Sequence, residues 1–358
     1  MLMIIPDFWG EHKETRKTAT KKQVTISRFG WSETNQADAK DHAEKRVEEA
    51  FKKLSDGQDV ERRELRVSYN GSEGVPIREE VIQYHDDAVL SRNIYGSLCL
   101  NTPDVAFADI DFGENDNGKK VGTLWLWTVF TAGLLYYYFT PNMIYDFSWN
   151  VLGYELQYWF YEFLYDINPG LFISIIAATA WVARFIINAR SHVDAEQFAE
   201  QAMQSNLDKI SLFIADNPKW GLRIYRTPAG MRIMVMHDVF LPSDPAIHNF
   251  FASVNCDPVY SLMCRRQECF RARVSPKPWR IGLEGKDIKI RPKSVWPIKV
   301  ERMTERKKWI ARYEKLAKEF ASCRFDKSIG SDLVHNKCEK LRIVHDQYCK
   351  TDSDLPLA

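Results

Sequence analysis

Two aspartates one residue apart close the stretch VAFADIDF (105–112): Asp109 and Asp111. On a β-strand, residues i and i+2 point to the same face, about 6.5 Å apart along the chain. Carboxylate oxygens at that separation suit a shared Mg2+ or Mn2+ ion, the arrangement that two-metal nucleotidyl transfer uses. The apolar run ahead of the pair fits a buried strand that delivers its acids at one end, which suits a site better than an Asp-x-Asp in a turn or helix cap. A second set of candidates lies in CFRARVSPKPWR (269–280), where Arg271 and Arg273 alternate on one strand and Lys277 follows in a proline-broken basic loop. Alternating arginines also describe the solvated edge of a sheet. Trp279, in the same loop, is either a stacking platform for a base or a packed ring. QYHDD (83–87) gathers a histidine and two acids, but without a partner motif it reads as a solvated turn.

Positioning these groups takes strands, and the chain supplies them in an α+β order. KQVTISRFGWS (22–32) has the β-branched residues and period-two pattern of a strand, and residues 35–54 form an amphipathic helix that stops before Ser-Asp-Gly. Strands are expected at 62–68, 88–94, 96–100 and 104–112, separated by the turn signals YNGSEG and NTPD. Residues 193–216 have helical spacing, and GLRIYRTPAGMRIMVMH (221–237) has the pattern of a β-hairpin about a Pro-Ala-Gly turn. SDPAIHNFFASV opens with Ser243 as N-cap of a short helix. A strand running into a basic, proline-broken loop at 269–282 and helices at 304–322 and 334–350 follow, the first of these helices basic on a solvated side.

Between the two sets of strands the composition changes. Residues 121–145 carry no charge, and about 20 apolar residues are enough to span a bilayer. A second run, 169–189, has one charge, Arg184, placed where it can reach the headgroups. Lys119 and Lys120 precede the first run and Arg190 follows the second, while the loop between them holds Asp146, Glu155, Glu162 and Asp166 and no Lys or Arg. The positive-inside rule then predicts a two-span, multi-pass protein of the inner or plasma membrane, with spans at about 121–141 and 170–189 and both large flanking segments cytoplasmic. Trp125, Trp127 and Tyr136–Tyr138 fit interfacial belts, and the aromatic loop stretch 150–167 fits an interfacial or re-entrant segment. The expected organisation is one cytoplasmic α+β domain in two parts, 1–112 and 192–300, interrupted by a hairpin at 113–191 and followed by a helical tail, 301–358. Membrane lipid would be a partner.

Bulk properties narrow the field. The 358 residues are 45% hydrophobic and 27% charged with a formal net charge of +1, so no global field draws the chain to nucleic acid or an anionic surface. The seven cysteines form no CxxC pair, and no histidine stands at zinc-finger spacing from Cys264 and Cys269; free thiols in a reducing compartment are expected. The N-terminal apolar run is too short for a signal peptide.

VAFADIDF, a long helix, RIYRTPAGMRIMV and then CDPVYSLMCRRQECFRARVSPKPWR follow one another in an order that resembles the archaeo-eukaryotic primase and primase-polymerase superfamily. The resemblance covers roughly residues 88–282 without the hairpin. It implies an antiparallel-sheet domain of RRM type, with Asp109 and Asp111 as the first metal-binding pair and Asp257 as the third carboxylate of a catalytic, Mg2+- or Mn2+-binding set. Thr227 and Gly230 would shape the nucleotide-binding hairpin, and Arg271, Arg273 and Lys277 would face the phosphates. From its sequence alone, Asp257 in Asn-Cys-Asp-Pro-Val is equally a helix cap or turn residue. The family's serine and histidine fall near Ala229 and Ile233, and neither is present. His237, on the same strand face but more than about 12 Å further along, could substitute only if the strand is bulged.

Three functions from different classes follow. The first is a membrane-anchored nucleotidyltransferase of primase-polymerase type that binds nucleotides or nucleic acid. The second is a catalytically inactive sensor of a nucleotide or nucleic-acid end, coupled to the hairpin through the short GENDNGKK linker. The third is a structural membrane protein whose spans associate as a homo-oligomer, with Ala132 and Gly133 allowing close packing.

Overall fold

Alternating apolar and polar side chains make Gln23–Ser32 a strand, β2, which pairs antiparallel along its whole length with β1 (Phe8–Lys17). The helix α1 (Gln36–Ser55) lies on this hairpin, burying Ala39, Ala43, Val47 and Phe51. Asn35 caps it by accepting from the Asp38 N–H, and Lys52 and Lys53 complement its C-terminal end. The computed structural model describes residues 5–17, 23–64, 75–113, 196–283 and 295–358.

Next come β3 (Glu80–His85), β4 (Ala88–Arg92), β5 (Leu98–Thr102) and β6 (Phe107–Asp111). A helix α2 covers 196–216, and β7 (Gly221–Thr227) and β8 (Gly230–Val235) form the hairpin expected at 221–237. Then follow α3 (Pro245–Ser253), α4 (Pro258–Gln267), β9 (Phe270–Arg273), one 3-10 turn (Pro278–Arg280), α5 (Val300–Ala317), β10 (Arg324–Gly330) and α6 (Asn336–Cys349). Among the described residues the strands form three antiparallel sheets: β1-β2, β10-β7-β8-β6 and β3-β4-β5-β9. The two four-stranded sheets share one core, in which Leu90, Leu100, Phe107, Tyr225, Ile233, Phe250 and Phe270 are fully buried. Residues 1–112 and 203–358 belong to one compact unit, and 113–202 to another.

Two expectations are corrected. Among the described residues no helix is long and apolar enough to cross a membrane. The reason is visible in their sequences: α1 and α5 carry charges on every turn, and α3 is a helix of only nine residues. The expected spans at 121–141 and 170–189 lie outside the described residues. Among the described residues the fold is therefore α+β with antiparallel sheets, and none of their helices supplies the transmembrane hairpin or the two-span membrane localisation inferred from hydropathy. The single RRM-type sheet is also replaced, because the strands divide between separate sheets with β6 and β9 on different ones.

Smaller differences have local causes. Asp244, not Ser243, is the N-cap of α3, because Pro245 takes the first helical position and Asp244 accepts instead from the Leu241 N–H at 2.8 Å. The strand expected at 62–68 extends past the described residues; within them Arg63 bridges Ser27. QYHDD is the end of β3 and its turn, and its acids are met by α6: Lys337 pairs with Asp87, and Lys340 lies 3.5 Å from Asp86.

Candidate functional site

β6 carries its acids out of the core. Phe107, Ala108 and Ile110 are buried, at about 1.5–3 kcal/mol for each large side chain, and they anchor a strand whose end exposes Asp111. β6 lies at a sheet edge, with Asp109 opposite Arg232 and Asp111 opposite Gly230 of β8. Gly230 makes this approach possible, since a Cβ there would collide with the Ile110 carbonyl. The other edge of β6 is closed at Asp109, whose carbonyl accepts from the Asp257 N–H at 2.9 Å.

Arg232, only 4% exposed, grips Asp109: Nε donates to Oδ1 at 2.8 Å and Nη2 to Oδ2 at 3.2 Å. Its Nη1 donates to the Arg273 carbonyl at 2.8 Å, tying β8 to β9, the edge strand of the other four-stranded sheet. Burial opposes the guanidinium charge, but Asp109 outweighs it and holds the group protonated. Asp109 is thus already paired. Asp111 has no such partner: lost hydration in the cleft, then the charge of Asp109, raise its carboxyl above the usual aspartate range, with Lys277 pulling the other way.

Across the cleft the excess is positive. Arg273, Lys277 and Arg280 line it together with Asp109, Asp111 and Thr227, and among the described residues none of the three cations is in an ion pair. Burial, then Arg273 and Arg280, bring the Lys277 ammonium down to about 8, and burial with Arg273 lowers Arg280. The enclosed space is about 40 Å3, enough for an ion or a few water-sized occupants, so a larger ligand must lie across the mouth. Trp279, two residues beyond Lys277, is 39% exposed, with the Lys277 ammonium 5.6 Å from its ring centre and the Tyr95 ring edge-on at 5.9 Å.

Asp109, Asp111, Thr227, Arg273 and Lys277 therefore come together in one cleft, with Gly230 the strand partner of both Asp111 and Thr227. Asp257 stands to one side as the N-cap of α4, its Oδ1 accepting from the Val259 N–H at 2.9 Å, near enough for its charge to add to the rise at Asp111. Arg271 is turned to Glu79, which it meets at 2.5 Å. His237 packs on Trp220, ring centres 4.7 Å apart, and does not line the cleft. Ile233 is fully buried opposite Ala108, so the residue of β8 that faces the acids is Arg232. Period-two alternation from Gly230 would have marked Arg232, but only the pairing of β6 with β8 gives that alternation its meaning.

As a donor set the cleft offers a hard cation carboxylate oxygens from Asp111 and, with Arg232 on its other lone pairs, from Asp109. The three aspartates are not gathered as tightly as a three-ligand site. Among the described residues the group whose ligand atoms lie within 4.8 Å of one another is Cys323, His345 and Cys349. The spacing of His345 and Cys349, four apart on α6, was a visible signal that sequence reasoning passed over. All seven cysteines are free and buried.

Fold and cleft together define an α+β protein with antiparallel sheets whose edge strands meet at opposed, unbalanced charges. No family model matches the chain, and no match was found among curated proteins or solved structures.

Proposed function

We propose that the chain binds the phosphates of a nucleotide or nucleic-acid end together with Mg2+ or Mn2+ at the β6–β9 cleft, and that its chemistry is nucleotidyl transfer of the primase-polymerase kind. One observation carries the reading: an unpaired carboxylate, Asp111, faces the unpaired cations Arg273, Lys277 and Arg280 across a narrow cleft with room for an ion and a phosphate edge. Each side is disfavoured by its own like charges, and a dication bridging to a polyphosphate relieves both at once. Asp111 and Asp109 would hold the ion, which would supply a lowered pKa to an attacking hydroxyl and charge neutralisation to the phosphate. Arg273 and Arg280 are placed to hold phosphate oxygens in a fork and Lys277 as a point charge, and Trp279 to stack on a base at the mouth.

The pairing of Asp109 with Arg232 favours a second reading, binding without turnover, because it leaves one carboxylate where two-metal chemistry uses more. The test incubates purified full-length chain with labelled ribo- and deoxynucleoside triphosphates and Mn2+, with and without a single-stranded template, beside Asp111→Ala and Lys277→Met. Product that both variants lose supports transferase chemistry. Metal-dependent binding without product, lost in both variants, supports the binding reading; neither binding nor product overturns both.

A further inference from the structure

Next to Arg232, whose Nη1 lies 3.5 Å from His345 Nε2, is a group of side chains that the proposed chemistry does not use. Cys323, just ahead of β10, meets His345 and Cys349 of α6, and all three are completely buried. The backbone holds the two segments together, the Ser322 N–H donating to the Cys349 carbonyl at 3.1 Å and the Phe325 N–H to the Thr351 carbonyl at 3.3 Å. His345 Nε2 is 3.5 Å from Cys349 Sγ and 4.0 Å from Cys323 Sγ. The edge between a nitrogen and a sulfur around a tetrahedral zinc ion is about 3.5 Å, given Zn–N and Zn–S bonds of about 2.0 and 2.3 Å.

The ring is oriented for ligation. His345 Nδ1 lies 3.0 Å from Asp346 Oδ1, and that carboxylate is itself fixed by the Tyr225 hydroxyl at 2.7 Å and by Arg223 and Arg342 at 3.0 Å each. A carboxylate on Nδ1 makes that nitrogen the donor and leaves the Nε2 lone pair pointing at the sulfurs, the second-shell pattern of metal-bound histidines. Complete burial removes the alternative of a nucleophilic Cys-His-Asp row, since no substrate reaches it. Arg232 Nη1, 3.5 Å from Nε2, has no lone pair and cannot be a ligand.

We propose that Cys323, His345 and Cys349 form a zinc site that clips α6 to the segment leading into β10. Two sulfurs and an imidazole select zinc over the harder ions suited to the aspartates. Two thiolates balance the charge of the ion, so Arg232 keeps its pairing with Asp109. Three protein ligands leave the fourth tetrahedral position to a water or another small donor.

The full-length chain, purified without chelator, is expected to carry about one zinc per molecule by elemental analysis. Replacement with Co2+ should give thiolate charge-transfer absorption and the visible bands of tetrahedral cobalt. Cys349→Ser should lose the metal, Asp346→Asn should bind it about 10- to 100-fold more weakly, and Cys338→Ser, a buried cysteine outside the group, should keep it. The cobalt spectrum of the unaltered chain stands whether or not a variant folds. Its absence overturns the proposal, as does zinc retained undiminished by Cys349→Ser, or a thiol titration of the denatured, unreduced chain that shows two of the seven cysteines joined as a disulfide.

Discussion

Asp109 and Asp111 are the same residue type, one position apart on one strand face, yet their removal should change stability in opposite directions. Asp109→Asn leaves the Arg232 guanidinium, 4% exposed, without its counter-charge. Breaking a buried pair by removing one partner costs about 3–5 kcal/mol. Asp109 is itself 30% exposed and Arg232 keeps its bond to the Arg273 carbonyl, so the lower end, about 3 kcal/mol, is expected. Asp111→Asn removes a charge that Asp109 and Asp257 repel. Its folded pKa is raised, so the charged form is penalised in the fold: the penalty is present at neutral pH and is lifted as pH falls through the raised value. Because the side chain stands at an exposed strand end, relief is small, a gain of up to about 1 kcal/mol. Urea unfolding followed by tryptophan fluorescence at neutral pH measures both. A loss below about 1 kcal/mol for Asp109→Asn, or a shift of the same sign in both variants, would refute the assignment of the pairing to Asp109 alone.

Three further outcomes follow from the same geometry. With Lys277 held to about 8, Mn2+-dependent triphosphate binding should be level below that pH and weaken as pH rises through it, and calorimetric titration of Lys277→Arg should show the dependence flattened. In stability the sign is reversed: the charged lysine is penalised below about 8, and the penalty fades as pH rises toward its unfolded value. Gly230→Ala should cost about 1–3 kcal/mol in urea unfolding, because the new methyl group meets the Ile110 carbonyl and β8 must withdraw from β6. Tyr225→Phe, which takes a buried hydroxyl from Asp346, should cost about 1 kcal/mol in thermal unfolding, as Asp346 keeps His345, Arg223 and Arg342.

Local pattern made several elements readable. β2, α1 and the β7–β8 hairpin lie close to where alternation, caps and turn residues put them, because in each the signal sits within the element itself. β1 was missed because its second half, Glu-His-Lys-Glu-Thr-Arg-Lys, is polar on both faces and is a strand only through its pairing with β2. β10 was missed for a similar reason: charged and bulged, it takes its register from β7. The membrane hairpin expected from hydropathy finds no long apolar helix among the described residues, and the uncharged runs that prompted it lie outside them. At the cleft, Asp109 and Asp111 were marked by residue type and spacing, and Arg273 and Lys277 only through the family resemblance. Arg232 was not, because its importance comes from cross-strand register, and Arg271 looked equivalent to Arg273 until Glu79 claimed it. The meeting of Cys323 with His345 and Cys349 is a tertiary fact that no local window contains.

The sheet neighbour of β6 is β8, which lies far downstream in the chain. During synthesis at about 5–20 residues per second, β6 leaves the ribosome on the order of ten seconds before β8 exists to receive it. Throughout that interval a strand bearing Phe107 and Ile110 has a bare edge, the kind of surface that recruits a second nascent chain. Its two carboxylates repel the same strand on a neighbouring copy. The charges that later face the cleft thus act first as a guard against misassembly, and a variant neutral at both positions should show its defect on the polysome before it shows one in the finished protein.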